Sequence, residues 1–445
     1  MQIPDPRDAV KSPFATSARP AASAPEPAPR AYRVALIGFG TVGRSVARIL
    51  CERALPGLRL THVCNRNVER KKVAWMPADV RWTENVADVL ASDADIVVEV
   101  VGGLDPAEQW VRNALESGKS VVTANKQLIA RSGAELQELA RARGVHLYYG
   151  ASVAGGIPVL SGLHEGLAGD QLQKVYGILN GTCNYILSKV ESAGISFDTA
   201  LKEAQDAGFA EADPTDDVEG YDARAKLAIL AREGLATRVH PEDIVCGSIR
   251  DIDAVDFTYA HQLNATIRQI SRAEVHGKRL YASVGPALVP LESPLARVSG
   301  SQNLVMATGA YGGETVFSGY GAGGNPTAVA VVSDLLAIAQ RRPEYNSYAE
   351  IPTVARKVSA DFTSPHYVRF TVNDRPGIIA VLATIFGKNG INIDSVLQKT
   401  GFAKDRLAFV ITLEACSAAA MNRAMEEIAA LDFHVIPPVN LPILS

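Results

Sequence analysis

Short apolar runs alternate with longer mixed stretches through the first third of the chain, and each change of period marks an element. Tyr32–Ile37 reads as a strand, and residues 44–55 read as the helix that follows it. Leu58–Cys64 reads as a second strand. Residues 94–101 (ADIVVEVV) form an apolar run broken by Glu99, the pattern of a buried strand in a parallel sheet. Residues 105–117 read as a helix with Asp105 as N-cap and Pro106 at its first position. Ser120–Thr123 and residues 145–149 continue the alternation. Strand and helix taking turns in this way predict a parallel sheet covered by helices.

The period changes again late in the chain. Residues 328–339 read as a helix that packs back on the first domain, and 340–365 read as a connector punctuated by Pro343 and Pro365. After it come a strand (367–372), a helix (378–389), strands at 391–398 and 407–413, a helix (418–431) and a strand (433–436). That order, βαββαβ, is the split βαβ, ferredoxin-like arrangement. The expected fold class is α/β in three parts. Residues 31–150 with 319–341 make a Rossmann-type nucleotide-binding domain. Residues 151–318 make an α+β substrate and dimerisation domain. A linker (342–365) leads to a ferredoxin-like domain at 366–445, and residues 1–30 are a disordered tail.

Composition supports several exclusions. A chain of 445 residues is too long for one core. Its 47% hydrophobic and 21% charged content is that of an ordinary soluble protein. The net charge of −4, with no long basic run, argues against nucleic-acid or anionic-membrane partners. No apolar run approaches the roughly 18 residues of a bilayer span. The five cysteines are scattered without a CxxC pair, which argues against disulfides or zinc and fits a reducing cytoplasm. Residues 1–30 are rich in Ala, Pro and Ser. They lack the apolar centre of a signal peptide, and Asp5, Asp8 and Glu26 count against a transit peptide.

The first strand runs directly into Gly38-Phe39-Gly40-Thr41-Val42-Gly43 and then a helix. A GxGxxG in that context is a dinucleotide-binding turn. Gly38 makes the turn, Gly40 lets a pyrophosphate approach, and Gly43 lets helix and strand pack closely. A glycine-rich turn without a ligand is the plainer reading. From Arg53 to Val68 there is no acid to hold a ribose 2′-hydroxyl. Asn65 and Arg66 stand there, with Arg70, Lys71 and Lys72 behind. An arginine suits a 2′-phosphate, so NADP is favoured and NAD tolerated. Lys126 falls just past a strand's carboxyl end, where open α/β sheets bind ligands.

A third feature is the stretch from Gly208 to Lys226. Six carboxylates (Glu211, Asp213, Asp216, Asp217, Glu219, Asp222) precede one lysine, Lys226. Asp222 and Lys226 are spaced i,i+4 and share a face of any helix there. Pro214 and Gly220 predict a loop for the acids before them. The spacing does not fit an EF-hand. A lysine among carboxylates exchanges protons, or it is simply a paired surface charge. Both readings stay open on the residues alone.

The segments IGFGTVG, TANK, ASVAGGIP, GILNGTCNYIL, GFAEADPTDDVEGYDARAKLAIL and GYGAGGNPTA together resemble the homoserine dehydrogenase family, in family order from about Tyr32 onwards. The resemblance implies reversible reduction of aspartate 4-semialdehyde to homoserine with a nicotinamide cofactor, on the route to threonine, methionine and isoleucine. It implies Lys226 as proton donor and Lys126 as a lysine touching cofactor and substrate. Glu211 and Asp222 become substrate ligands beside the Gly208 backbone, with Asp217 and Thr182 in support. Gly321 and Gly323 return to the cofactor. A sodium-like monovalent cation would be held by carbonyls of Gly150, Val153, Gly155 and Ile157. The family usually has glutamate where Gly150 stands, so only a carbonyl, without help from a carboxylate, is expected there.

Residues 240–295 match less closely, at His261-Gln262-Leu263-Asn264 and Ile267-Arg268-Gln269-Ile270, and the expected effect is on subunit contacts or sheet edges. DRPGIIA and GINIDSVLQ resemble the ACT domain that ends many members. Such a domain implies an amino-acid effector near Asp374 to Gly377, with threonine the natural candidate, or else a purely structural dimerisation module; a homodimer or homotetramer is expected. The competing readings are a catalytically weak amino-acid sensor and a related amino-acid dehydrogenase.

Overall fold

The structure is a computed structural model that describes residues 31–342 and 354–444. The expected disordered tail lies outside the described residues, as do positions 343–353 of the expected linker.

Six parallel strands form the first sheet: β1 (Tyr32–Ile37), β2 (Leu58–Cys64), β3 (Arg81–Thr83), β4 (Ile96–Glu99), β5 (Ser120–Thr123) and β6 (Leu147–Tyr148). Their order is β3-β2-β1-β4-β5-β6. The direction of winding reverses between β1 and β4, so a crevice opens at their carboxyl ends. Val34, Leu36, Ile96 and Val98 are fully buried, as near-continuous apolar strands require.

The helix after β1 begins at Thr41, earlier than its apolar pattern suggested, and runs to Arg53 with Gly40 as N-cap. Gly43 therefore sits in the first turn. A Cβ there would lie 2.0 Å from the Gly38 carbonyl oxygen, which forces glycine. The helix expected from Asp105 begins later, at Ala107, with Pro106 in the cap position and its carbonyl receiving Trp110 N–H. The helix Gly324–Ala339 lies against Thr41–Arg53, with Ser45 Oγ donating to Asn325 Oδ1 at 2.9 Å. Val331, Leu335 and Ile338 join the same core as β1 and β4.

The second body is a mixed sheet. Gly313–Tyr320, Gln302–Gly309, Leu172–Ile178, Ala265–His276 and Arg279–Pro290 lie side by side and antiparallel, with Lys357–Ser359 added in parallel at the edge. Ile267 to Ile270 lies in the strand Ala265–His276 and pairs with Arg279–Pro290 on one side only, since pairing with Leu172–Ile178 begins at Ser271; Ile267 is fully buried. The helices Gly181–Ala193 and Tyr221–Leu235 pack on this sheet. The described part of the expected linker is partly stranded. Val354–Ala355 pairs with Thr237–Arg238, and Lys357–Ser359 finds partners on the sheet's unpaired edge.

The C-terminal domain runs Thr363–Val372, Ile378–Lys388, Ile393–Gln398, Leu407–Ser417, Ala418–Ala429, His434–Pro442. Its antiparallel sheet places the second, third, first and fourth strands in that order. The first strand begins four residues earlier than its alternation suggested. Tyr367, Val410, Val439 and Leu441 share a core with Phe257, Tyr259 and Leu288 of the second body. Inside that junction Arg369 Nε meets Asp256 Oδ1 at 2.7 Å, and Tyr367 Oη donates to the same oxygen at 2.8 Å. All three side chains are at most 2% exposed. Removing one partner would strand a buried charge, so the pair fixes how the domains dock.

Candidate functional site

The crevice at the carboxyl ends of β1 and β4 opens into a cavity of about 500 Å³ shared with the second body. Val42, Val101, Gly102 and Lys126 line one side; Asn180, Thr182, Gly208, Asp217, Asp222 and Lys226 line the other. Gly321 and Gly323 close one end. The GYGAGG loop reaches this place because Gly321 packs against the Gly155 backbone and the Asn303 side chain with no side chain of its own. A Cβ on Gly155 would lie 2.5 Å from the Gly321 carbonyl oxygen, and one on Gly321 would lie 2.1 Å from Asn303 Cγ.

Asp222 and Lys226 do share a helix face. Tyr221–Leu235 is helical, and Lys226 Nζ donates to Asp222 Oδ2 at 2.7 Å and to the Leu179 carbonyl at 2.8 Å. An ammonium carries three N–H groups, so one remains for a ligand. Lys126, the first residue of the helix Lys126–Arg143, brings Nζ to 3.0 Å from Asp222 Oδ1. That helix is capped by Asn125, whose side chain accepts from Leu128 N–H. Two ammoniums from different domains thus converge on one buried carboxylate.

Burial by itself would raise the Asp222 pKa. The charges of Lys226 and Lys126 and their hydrogen bonds outweigh it and hold the carboxyl well below its usual range. Reciprocally, the Asp222 charge raises Lys126. Asp217 moves the other way: burial raises it, the Asn180 bond opposes that, and the Asp222 charge adds to the rise. Two neighbouring carboxyls therefore differ in readiness to take a proton.

Asn180 has a role that its sequence position does not announce. It is 2% exposed, and its Nδ2 donates to Asp217 Oδ1 at 2.6 Å and to Asp222 Oδ2 at 2.8 Å. Its Oδ1 accepts from Cys183 N–H at 2.8 Å and caps the helix Gly181–Ala193. An Asn-Gly pair before a helical pattern signals the cap but not the second task. Glu99 is legible in the sequence only as a break in an apolar run. It is fully buried, accepts from Val101 N–H and Gly102 N–H, and receives Thr123 Oγ1 at 2.6 Å. It ties a wall of the cavity to β5. Asn303, which carries no sequence signal, donates to the Leu179 carbonyl that holds Lys226.

The other acids of the stretch separate. Glu211 is exposed and is not among the residues lining the cavity. Asp213 accepts from Thr215 N–H at 3.1 Å, and Glu219 pairs with Arg250 at 2.8 Å. The acids expected in a loop include a single helical turn, Thr215–Val218, with Pro214 at its N-cap and the Asp213 carboxylate just before it. Thr182 Oγ1 donates to the Phe209 carbonyl at 2.8 Å, beside Gly208.

In the glycine-rich turn, Gly38 has φ +102° with Val100 and Val101 close behind it. A Cβ on Gly40 would meet nothing within 4 Å, which leaves open space over the helix N-terminus for a pyrophosphate. Thr41 is exposed at the same place, and Phe39 N–H is held by Asn65 Oδ1 at 2.9 Å. Arg66 is exposed at the end of β2 and has no ion-pair partner among the described residues. These residues fit a nicotinamide dinucleotide.

Gly150, Val153, Gly155 and Ile157 form the turn after β6. Among the described residues, the carbonyls of Val153 and Gly155 accept no backbone hydrogen bond, though both residues are buried. The Ile157 carbonyl receives Val159 N–H at 2.7 Å, and Gly150 N–H donates to Asp334. No group of three or more His, Cys, Asp or Glu that could hold a metal occurs among the described residues. Among them, no helix is long and apolar enough to cross a membrane.

Comparison with known proteins agrees with this geometry. The family models "Homoserine dehydrogenase, NAD binding domain", "Homoserine dehydrogenase" and "ACT domain" match residues 38–150, 158–336 and 366–433. The homoserine dehydrogenase of Bacillus subtilis is 38% identical over 86% of this chain and 91% of its own. The structure of a homoserine dehydrogenase from Thiobacillus denitrificans superposes with a TM-score of 0.86 at 32% identity, covering 94% of this chain and 99% of that one. A hyperthermophilic archaeal homoserine dehydrogenase mutant in complex with NADPH matches 70% of this chain and 99% of its own, with a TM-score of 0.61 at 26% identity. A parallel nucleotide-binding sheet, a two-lysine carboxylate site facing it and an ACT domain behind place the chain in the homoserine dehydrogenase family of NAD(P)-dependent oxidoreductases.

Proposed function

We propose that Lys226 is the proton donor in a reversible, NADP-linked reduction of L-aspartate 4-semialdehyde to L-homoserine. The observation that carries this is the Lys226–Asp222–Lys126 cluster, open to the same cavity as the glycine-rich turn. When bound, the nicotinamide supplies the hydride that reaches the aldehyde carbon. The third N–H of Lys226 meets the aldehyde oxygen, stabilises its developing charge and protonates it. Asp222 and the Leu179 carbonyl hold that ammonium in place, and in the reverse direction the amine takes the hydroxyl proton.

Lys126 and backbone N–H groups near Gly208 and Thr182 suit the substrate carboxylate. Asp222 retains one lone pair beyond its three bonds, and with Glu211 it suits the α-ammonium. Glu211 reaches the substrate only if the Gly208 turn closes over it. Asp217 supports the pair through Asn180.

Gly38, Gly40 and Gly43, with Phe39, Thr41 and Val42, would hold the pyrophosphate, and Gly321 and Gly323 would border the cofactor. Arg66 would pair with a 2′-phosphate, which favours NADP over NAD. The unspent carbonyls of Val153 and Gly155, with those of Gly150 and Ile157, fit a sodium-like cation and leave it structural. Threonine as effector at the ACT domain, assembly as a homodimer or homotetramer, and a cytoplasmic location complete the reading. Five unbonded cysteines are compatible with that location. The test is aldehyde-dependent oxidation of NADPH and NADH by the purified chain. A higher kcat/KM with NADPH is expected, and absence of turnover with both would overturn the proposal.

A further inference from the structure

A second cavity, of about 370 Å³, lies between the ACT domain and the large sheet. Small-molecule sites span roughly 300–1,000 Å³, so the volume is adequate. Val284 on the sheet and Val439 and Leu441 on the ACT domain give it apolar walls. Arg272 is the one permanent cation among the described residues lining it. Its Nη2 donates to Glu274 at 3.0 Å, and its guanidinium lies 4.1 Å from the Phe362 ring centre. Its Nε is buried without a hydrogen-bond partner. A guanidinium carries five N–H donors, and the bond to Glu274 uses one of them. His366, 4% exposed, lines the same cavity, and burial lowers its pKa against the opposing bond to Asn440. The acid that borders it, Asp251, is exposed.

The cavity shares a wall with the catalytic turn. That wall is the loop 245–252. Ile249 N–H donates to the Val218 carbonyl at 3.2 Å, and Arg250 Nε donates to Glu219 at 2.8 Å. Cys246 lies behind Gly220. From the other side, Arg369 Nη2 of the ACT domain donates to the Asp251 carbonyl at 2.8 Å. One loop therefore joins the ACT domain to the turn that carries Asp217 and leads into the helix of Asp222. None of Asp374 to Gly377 lines this cavity, so it is distinct from the effector position expected at that turn.

We propose that this interdomain cavity binds a small aliphatic carboxylate, its charge on Arg272 and its apolar body against Val284, Val439 and Leu441, and that occupancy alters turnover through the loop 245–252. The coupling half rests on the active-site reading above; the binding half does not. Calorimetry on the full chain with 4-methylpentanoate and its uncharged amide tests the binding. Arg272→Gln removes the cation, and Asn422→Trp plugs the exposed rim without entering the core. Saturable binding of the acid is expected. Binding at least about tenfold weaker is expected for the amide and for Arg272→Gln, as loss of a charged hydrogen bond dictates, and for Asn422→Trp, because the indole fills the rim. Equal binding by wild type and both folded variants would overturn the site, as would no saturable binding up to about 10 mM. In parallel, the acid is expected to change kcat or KM for homoserine oxidation in wild type but not in Asn422→Trp. Binding with unchanged kinetics would overturn the coupling. An inactive chain that still binds the acid through Arg272 would contradict the active-site reading alone.

Discussion

Replacing Asn180 by serine separates two tasks that one amide performs. Serine keeps the helix N-cap, because its hydroxyl can receive Cys183 N–H as Asn180 Oδ1 does. Its single O–H cannot replace both donations to Asp217 and Asp222. At least one hydrogen bond to an ionised acceptor is lost, worth roughly 1.5–3 kcal/mol when fully buried. The carboxylates border an open cavity, so water replaces part of that, and a net loss of about 1–3 kcal/mol is expected. Asn180→Ala loses the cap as well, which adds about 1 kcal/mol. Both variants remove the bond that opposes the rise in the Asp217 pKa. Asp217 then takes a proton at higher pH, and Lys226 loses part of its support. Urea unfolding and the pH profile of homoserine oxidation read the two effects. The expected result is kcat down about 10–100-fold in both variants, equivalent to roughly 1.4–2.7 kcal/mol, with the acid limb of the profile moved to higher pH. Wild-type kcat and an unmoved acid limb in a folded Asn180→Ser would refute the reasoning.

The two glycines of the nucleotide turn predict opposite outcomes. Gly40→Ala meets no atom within 4 Å, so Tm should hold while NADPH affinity falls at least about tenfold; loss of both would contradict this. Gly43→Ala places a Cβ 2.0 Å from a carbonyl and should cost about 1–3 kcal/mol of stability, read by urea unfolding. Glu233, buried beside Arg232, His164 and Tyr149, has a pKa lowered from 4.5 to about 2, because Arg232 and His164 outweigh the burial that would raise it. A depressed carboxylate stabilises above its unfolded pKa. Wild type should therefore lose a few kcal/mol as the pH falls from about 4.5 to 2, roughly 1.4 kcal/mol for each pH step of one, while Glu233→Gln shows a flatter profile. Arg66→Glu should lower kcat/KM with NADPH at least about tenfold and leave NADH nearly unchanged; equal losses with both would remove Arg66 from the 2′-phosphate.

Local pattern carries much of this architecture. The strand, glycine turn and helix around Gly38 to Gly43 are legible because Gly38 and Gly43 meet local backbone demands and Gly40 leaves space for a ligand. Asp222 and Lys226 are legible because i,i+4 spacing places them on one face. What is not legible depends on distant partners. Nothing near Lys126 says that it meets Asp222 across a domain boundary, and nothing near Asn180 says that it joins two carboxylates. Glu99 looks like a flaw in a strand until Thr123 and the Val101 and Gly102 amides surround it. Asp256, Arg369 and Tyr367 lie on separate domains, and their period shows only that two are in a strand. The short strands at 354–359 owe their pairing to exposed sheet edges rather than to their own sequence.

In the proposed reaction Lys226 delivers the proton, while other residues of the shared cavity hold the cofactor. The most direct test measures Lys226→Ala twice: NADPH binding by fluorescence titration, and kcat for homoserine oxidation. The account predicts NADPH affinity within about twofold of wild type. It predicts kcat lower by about 10²–10⁴, the range that a positioned proton-transfer group contributes. A kcat within a few-fold of wild type, with the cofactor bound normally, would show that another group carries the proton.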